Sequence, residues 1–244
     1  MTSINEALDK FYEKIPGSFW AVFGGIFGLA VIIIASILHS LTEPISFFTH
    51  FVSHLGWGPN GSETLFRIGI AVLGCLLAPY IIYLNRMLKI EDEEKHSKLR
   101  QLAFICSLIS LVGLFMVSLW GNIHQEGFIL HLVGAILYFM MAMAFMFFYT
   151  LLLVYCGRKS EIQIVCTLIV LFFGISMMAS LIPLIIGIDP ELISQFGSMD
   201  IGDALTTATP YTMWLTFFEW LYVLGTCVWF IVTGVFTYKI ETKK

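Results

Sequence analysis

The sequence predicts an all-α, polytopic transmembrane bundle of six helices with both termini in the cytoplasm, and three observations carry that prediction. Of the 244 residues, 58% are hydrophobic and 12% charged, with a mean hydropathy of +0.88, outside the range of soluble domains. Six apolar stretches, at approximately 17–40, 63–86, 99–119, 126–156, 162–187 and 210–238, are long enough to cross a hydrocarbon core with about 20 residues each. They are continuous, whereas barrel strands would alternate with period two over about ten residues. The third observation is the charge distribution. Twelve of the 13 Lys and Arg residues fall on one side of such a bundle.

Taken in order, the chain divides into an interfacial amphipathic segment, 1–16, a six-helix transmembrane domain, 17–239, and a short cytoplasmic tail, 240–244. In the first segment Ile4, Leu8, Phe11 and Ile15 recur at helical spacing, with Asp9, Lys10, Glu13 and Lys14 on other faces. That pattern fits a helix lying on the inner leaflet and ended by Pro16 and Gly17, with a flexible tail as the alternative. The first span is too long, at about 24 apolar residues, for a cleaved signal. Its Gly24 and Gly28 form a small-xxx-small pair suited to close helix contact, either within the fold or at a homodimer face. Pro183 is placed to kink the fifth span near its outer end.

The connections set the orientation. Lys10 and Lys14 precede the first span; Arg86, Lys89, Lys95, Lys98 and Arg100 follow the second; Arg158 and Lys159 follow the fourth; Lys239, Lys243 and Lys244 close the chain. The first, third and fifth connections carry none, so the positive-inside rule puts those three outside. Arg67 is the thirteenth cation and lies inside a span.

Soluble-enzyme signatures are missing: the sequence has no paired metal-binding cysteines, phosphate-cradling glycine loop or G-x-S-x-G elbow. Four cysteines fall within spans, and Cys156 near the inner end of the fourth is a candidate for acylation, with simple burial the commoner fate. Asn60-Gly61-Ser62 is a formal glycosylation sequon, although Pro59 before it and a helix after it read first as a turn. Asp189, Asp200 and Asp203 look like helix caps, and Trp57 and Trp120 like interfacial anchors.

Polar residues collect on the outer side. His39, His50, His54, His124 and His131 all map there, and only His96 is cytoplasmic. With a rise of about 1.5 Å per residue, Arg67 lies about 6 Å inside the second span, His131 about 8–10 Å inside the fourth and Glu219 about 13 Å inside the sixth. A lone charge at such depth costs at least about 2.5–3.5 kcal/mol, so each should face the bundle and find a partner. Arg67 is expected to pair with Glu219, with Glu63 four residues earlier as the local competitor. Thr212, Thr216, Glu219 and Thr226 share a face of the last helix, and His124 and His131 share one on the fourth. The candidate ligand-binding set is therefore Arg67, His124, His131, Thr212, Thr216 and Glu219. His54, His131 and Glu219 are the catalytic candidates should the protein be an enzyme, and His50, His54 and His124 are weak candidates for a metal.

Several of these residues resemble a known pattern. Pro44-Ile45-Ser46, Val52-Ser53-His54-Leu55-Gly56, Gly58-Pro59-Asn60 leading to Phe66, then His131 with Ala135 four residues later, and finally Glu219-Trp220 are similar to the Frag/DRAM/Sfk family of six-helix membrane proteins and its prokaryotic relatives. That family includes autophagy modulators and proteins linked to remodelling of GPI-anchored lipids and to phosphoinositide organisation, without an agreed catalytic mechanism. The resemblance implies a membrane-lipid context and draws attention to Ser53, His54, His131 and Glu219. His50 and Trp57 depart from the family's usual form.

The functional expectation is a membrane protein whose outward-facing polar pocket recognises or helps remodel membrane lipids, with Arg67 as the anion contact. An intramembrane metal- or His-dependent lipid hydrolase or transferase, and a small proton-coupled transporter, are the alternatives. Membrane lipids are the expected partners, no nucleic acid is, and no cofactor is called for, a metal being left open.

Overall fold

The computed structural model describes residues 2–91, 95–119, 125–158, 160–182 and 201–241, and these are helical nearly throughout. A short amphipathic helix, α1 (Thr2–Lys14), precedes six long ones: α2 (Gly17–Ser40), α3 (Ser62–Glu91), α4 (Ser97–Leu119), α5 (Gln125–Tyr155), α6 (Glu161–Ala179) and α7 (Ile201–Glu241). All six are long and apolar enough to cross a membrane, so the chain is a multi-pass membrane protein. Their outward faces agree: Ile26, Ile37, Ile105, Val112, Phe172 and Ile175 all leave large apolar side chains exposed, as contact with lipid tails requires.

Small residues let the helices approach. Ser18 and Ala21 of α2 meet Gly234 of α7, while Gly25 lies against the Cys227 carbonyl, so these helices run antiparallel and the two chain ends share one end of the bundle. Gly113 of α4 and Gly134 of α5 bring backbone against backbone, since a Cβ on Gly113 would stand 2.5 Å from the Tyr138 nitrogen. Gly24 and Gly28 are buried against Leu73, Leu77 and Cys227. The pair therefore serves contact within the chain, and a homodimer face there would have to displace those side chains.

At the shared end of the two termini, the cationic end, α1 docks onto α3. Arg86 holds both Asp9 and Asn5, and the Tyr12 hydroxyl donates to the Pro79 carbonyl at 2.7 Å. Burial pushes Tyr12 up to about 12 against the opposing pull of Arg86, keeping its proton for that bond. In the last turns of α5 and the first turns of α6, Thr150, Gln163 and Thr167 meet Trp229 and tie α5, α6 and α7 together. Gln163 donates to Thr150 at 2.8 Å, the Thr150 and Thr167 hydroxyls lie 2.9 Å apart, and the Trp229 indole donates to Thr167 at 2.8 Å.

At the opposite end, the connection from α2 to α3 folds back into the bundle instead of lying over it. Residues Val52–Gly56 form one 3-10 turn whose Val52 and Leu55 are buried. Three ties hold it. The Trp220 indole donates to the His50 carbonyl at 2.7 Å, Ser62 donates to the Leu55 carbonyl at 2.8 Å, and the Asn60 amide donates to Leu38 and Thr42 at the end of α2. Asn60 and Gly61 take positive φ of 57° and 82°, so the formal sequon is built as a turn followed by a helix start.

Span boundaries follow the sequence closely except in α7 and at the end of α6. The latter stops at Ala179 where the sequence predicts a span to 187, residues 183–187 lying outside the described residues. Helix α7 starts at Ile201 and passes through Pro210, nine residues before the expected apolar stretch. Hydropathy marks where a helix can contact lipid, whereas the helix itself extends as far as its backbone bonds do. At about 1.5 Å per residue its 41 residues exceed a ~30 Å hydrocarbon core, the surplus preceding Met213. Asp203 accordingly sits in its first turn, inside the helix and not at its cap. Pro183, Asp189, Asp200, Trp120 and Lys159 lie outside the described residues.

Candidate functional site

Five helices and the folded-back connection converge at the histidine-rich end. On α3 Phe66, Ile70 and Leu73 are spaced i, i+4, i+7; on α5 His131, Ala135 and Tyr138 repeat that spacing; on α7 Glu219, Val223 and Cys227 follow i, i+4, i+8. Together with Leu114 and Val117 of α4, Ile32 of α2, and Val52 and Ser53 of the connection, they enclose a chamber of about 60 Å³. At roughly 15 Å³ per water it has room for about four. Its walls are apolar and aromatic, and its polar atoms come from Ser53, His131, Tyr138 and Glu219.

Glu219 is 6% exposed. The backbone N–H groups of Val52 and Ser53 donate to its carboxylate, so the acid caps the 3-10 turn while its neighbour Trp220 holds His50. Its Oε2 is buried and, among the described residues, has no hydrogen-bond partner. His131 is also 6% exposed. Its Nδ1 is likewise buried without a partner, while the other ring nitrogen meets the Val117 carbonyl. The nitrogen facing a carbonyl carries the proton in a neutral ring, which makes Nδ1 an acceptor. Tyr138 pairs with Thr226, and Thr226 in turn donates to the Tyr222 carbonyl at 2.8 Å.

Beside the chamber the rings form a chain. His39 and His50 have centroids 5.9 Å apart, His50 and His54 5.9 Å, His54 and Trp57 5.2 Å, and Trp57 and His131 5.9 Å. Trp57 is therefore packed between two histidines and is no simple interfacial anchor. Burial drives His54 down to about 3, reinforced by the nearby His50, His39 and His131, so this ring is neutral at physiological pH. His39 packs so tightly that a Cβ at Gly58 would stand 2.3 Å from its Nδ1.

The expected Arg67–Glu219 pair is not formed. Arg67 bonds Glu63 at 2.9 Å, the Ser118 carbonyl at 3.1 Å and the Leu119 carbonyl at 2.8 Å, so it neutralises the local competitor and caps the C-terminal end of α4. Its side chain is 27% exposed and does not line the chamber. The reason is angular. Arg67 sits one residue, about 100°, off the Phe66–Ile70–Leu73 stripe. Thr216 is buried but spends its hydroxyl on the Met213 carbonyl at 2.9 Å and does not line the chamber either.

His124 lies outside the described residues, as does the side chain of Thr212. Among the described residues no three His, Cys, Asp or Glu side chains gather closely enough to hold a metal ion. His50 and His54 are neighbours, but His50 Nδ1 is engaged by the Ser46 N–H and the Thr49 hydroxyl. None of the five cysteines is joined in a disulfide. Tyr138 and Cys227 were missed by sequence reasoning, though their seven- and eight-residue spacing from His131 and Glu219 placed them on the same faces.

No family model matches the chain, and no curated protein or solved structure is similar to it.

Proposed function

We propose that this membrane protein holds the polar head of a membrane lipid in the chamber at its histidine-rich end, and so recognises or helps remodel that lipid. In the orientation the cations imply, this end faces the outer leaflet. The observation that carries the reading is an apolar-walled chamber within the membrane-spanning bundle with Ser53, His131 and Glu219 on its surface. Apolar walls with a few convergent polar groups are the usual make-up of a ligand site. The resemblance to the Frag/DRAM/Sfk pattern adds support, because three of the four residues it singles out line this one chamber and the fourth, His54, follows Ser53.

Filling the chamber tests the reading without touching its polar groups. The full-length protein should retain one lipid class out of proportion to the surrounding bilayer when transferred from a mixed-lipid nanodisc into detergent, and Ala135→Phe should abolish that enrichment. Equal enrichment in Ala135→Phe, in a protein whose unfolding temperature is unchanged, would refute it.

A further inference from the structure

We infer that the chamber takes a protonated primary amine, and that the lipid it recognises is one whose head ends in such a group. This deepens the lipid reading just given and rests on it for the source of the amine.

Two hydrogen-bonding atoms at the chamber remain unused. Glu219 Oε2 and His131 Nδ1 are both buried, both belong to residues lining the chamber, and neither finds a partner among the described residues. Both are acceptors. Leaving an acceptor unpaired in a buried site costs about 1–3 kcal/mol, more for a charged group, so the two together call for a ligand that donates. No Lys or Arg among the described residues lines the chamber, because Arg67 is turned to Glu63 and the end of α4. An anionic head would therefore meet a carboxyl group and no cation, whereas an ammonium would meet the carboxyl oxygen it lacks.

Size and wall chemistry narrow the choice. A –NH₃⁺ group is compact and carries three donors, enough to serve Oε2 and Nδ1 with one left for Ser53. Phe66, Tyr138 and Phe139 supply aromatic surface, which attracts cations. A trimethylammonium group would also suit aromatic walls, but it offers no N–H to either acceptor.

The experiment uses the full chain in nanodiscs of equal parts phosphatidylethanolamine, phosphatidylcholine and phosphatidylglycerol, with retained lipid measured by native mass spectrometry. Phosphatidylethanolamine should be retained about tenfold or more over each of the others, the ratio expected of one charge-assisted hydrogen bond. Glu219→Gln keeps an oxygen for the Val52 and Ser53 amides but replaces the other acceptor by a donor, and should bring the ratio near one. His131→Gln keeps a donor for the Val117 carbonyl while removing Nδ1, and should lower the ratio by several fold. Preferential retention of phosphatidylglycerol or phosphatidylcholine would overturn the amine assignment while leaving the lipid reading intact. A second arm, methylammonium titrated into phosphatidylcholine nanodiscs, separates the sources. Thermal stabilisation that saturates and is lost in Glu219→Gln, without any phosphatidylethanolamine preference, would keep the amine site and overturn its lipid origin. No preference in the first arm and no stabilisation in the second would overturn the inference, and the Ala135→Phe comparison then decides the lipid reading separately.

Discussion

The Thr150–Gln163–Thr167–Trp229 cluster and the chamber around His131 and Glu219 both bury polar atoms inside membrane-spanning helices, and they are completed in different ways. In the first, neutral hydroxyls, an amide and an indole exchange bonds of 2.8–2.9 Å across three helices, leaving over only the Gln163 amide oxygen. In the second, a carboxyl and an imidazole each leave a polar atom uncommitted beside open space. Interhelical hydrogen bonds between neutral groups act as glue in a bilayer, whereas uncommitted titratable groups inside spans are the natural candidates for a functional site. The difference teaches that burial of polarity alone does not identify a site. What matters is which atoms remain uncommitted.

The contrast breaks most sharply on stability. Trp229 is fully buried, touches Phe145 and Phe230, and supplies the network's indole donor. Trp229→Ala should cost about 3–5 kcal/mol, the range for deleting a large core aromatic, read as a lowered midpoint in detergent unfolding. Glu219→Gln should leave that midpoint nearly unchanged, because the capped 3-10 turn keeps its acceptor. If both variants lost the same stability, the chamber acid would be glue of the same kind as the threonine network and the distinction would collapse.

Acidification should act on the chamber end and spare the threonine network, which has no titratable member. His54 is held down near 3 by burial and by the neighbouring histidines, against about 6.5 when unfolded, so the unfolded state binds more protons between those values. Stability from this group is therefore complete above about pH 6.5 and falls as pH drops, by about 1.4 kcal/mol per unit for one proton, until about pH 3. The titratable groups that act on it are His50 on the same connection, His39 near the end of α2 and His131 on α5, with Glu219 of α7 on the amides of the preceding Val52 and Ser53. His54→Phe fills the space between Phe51 and Trp57 with a ring that cannot titrate. Its unfolding midpoint should vary with pH less steeply than that of the parent by about one proton's worth, and parallel pH curves would show that His54 titrates freely in the folded protein.

Much of this arrangement was legible in the sequence because hydropathy and depth are one-dimensional. The six spans follow from continuous apolar runs, and the convergence of His131 and Glu219 follows from counting residues inward from the ends of two helices that run the same way. Azimuth and partner choice were not legible at the same level. Depth put Arg67 beside Glu219, but the side chain points about 100° away from the chamber stripe, toward α4. The carbonyls it caps belong to a helix end whose position depends on the whole α3–α4–α5 packing. Likewise Val52 and Ser53 reach Glu219 only because the connection folds inward, and that fold rests on Trp220, Asn60 and Ser62 acting together. Ser53 could be flagged by resemblance, yet nothing in its spacing reveals that its amide meets an acid 166 residues later.

The smallest expected effect is the one that most directly separates Arg67 from the chamber. Arg67→Gln removes the ion pair with Glu63 and the bonds to Ser118 and Leu119 at the end of α4. The pair is 27% and 38% exposed, so solvent screens it, and a cation at a helix C-terminus is worth about 0.3–1 kcal/mol. A loss of about 1 kcal/mol or less in unfolding free energy is expected, with the lipid enrichment of the parent protein retained in full. Loss of enrichment at unchanged stability would return Arg67 to the role of anion contact. It would also mean that the ligand spans from the chamber to the α4 end, with its phosphate on Arg67 while the amine occupies Glu219 and His131. Retention would confine recognition to the chamber's own acceptors and leave Arg67 as the cap of α4.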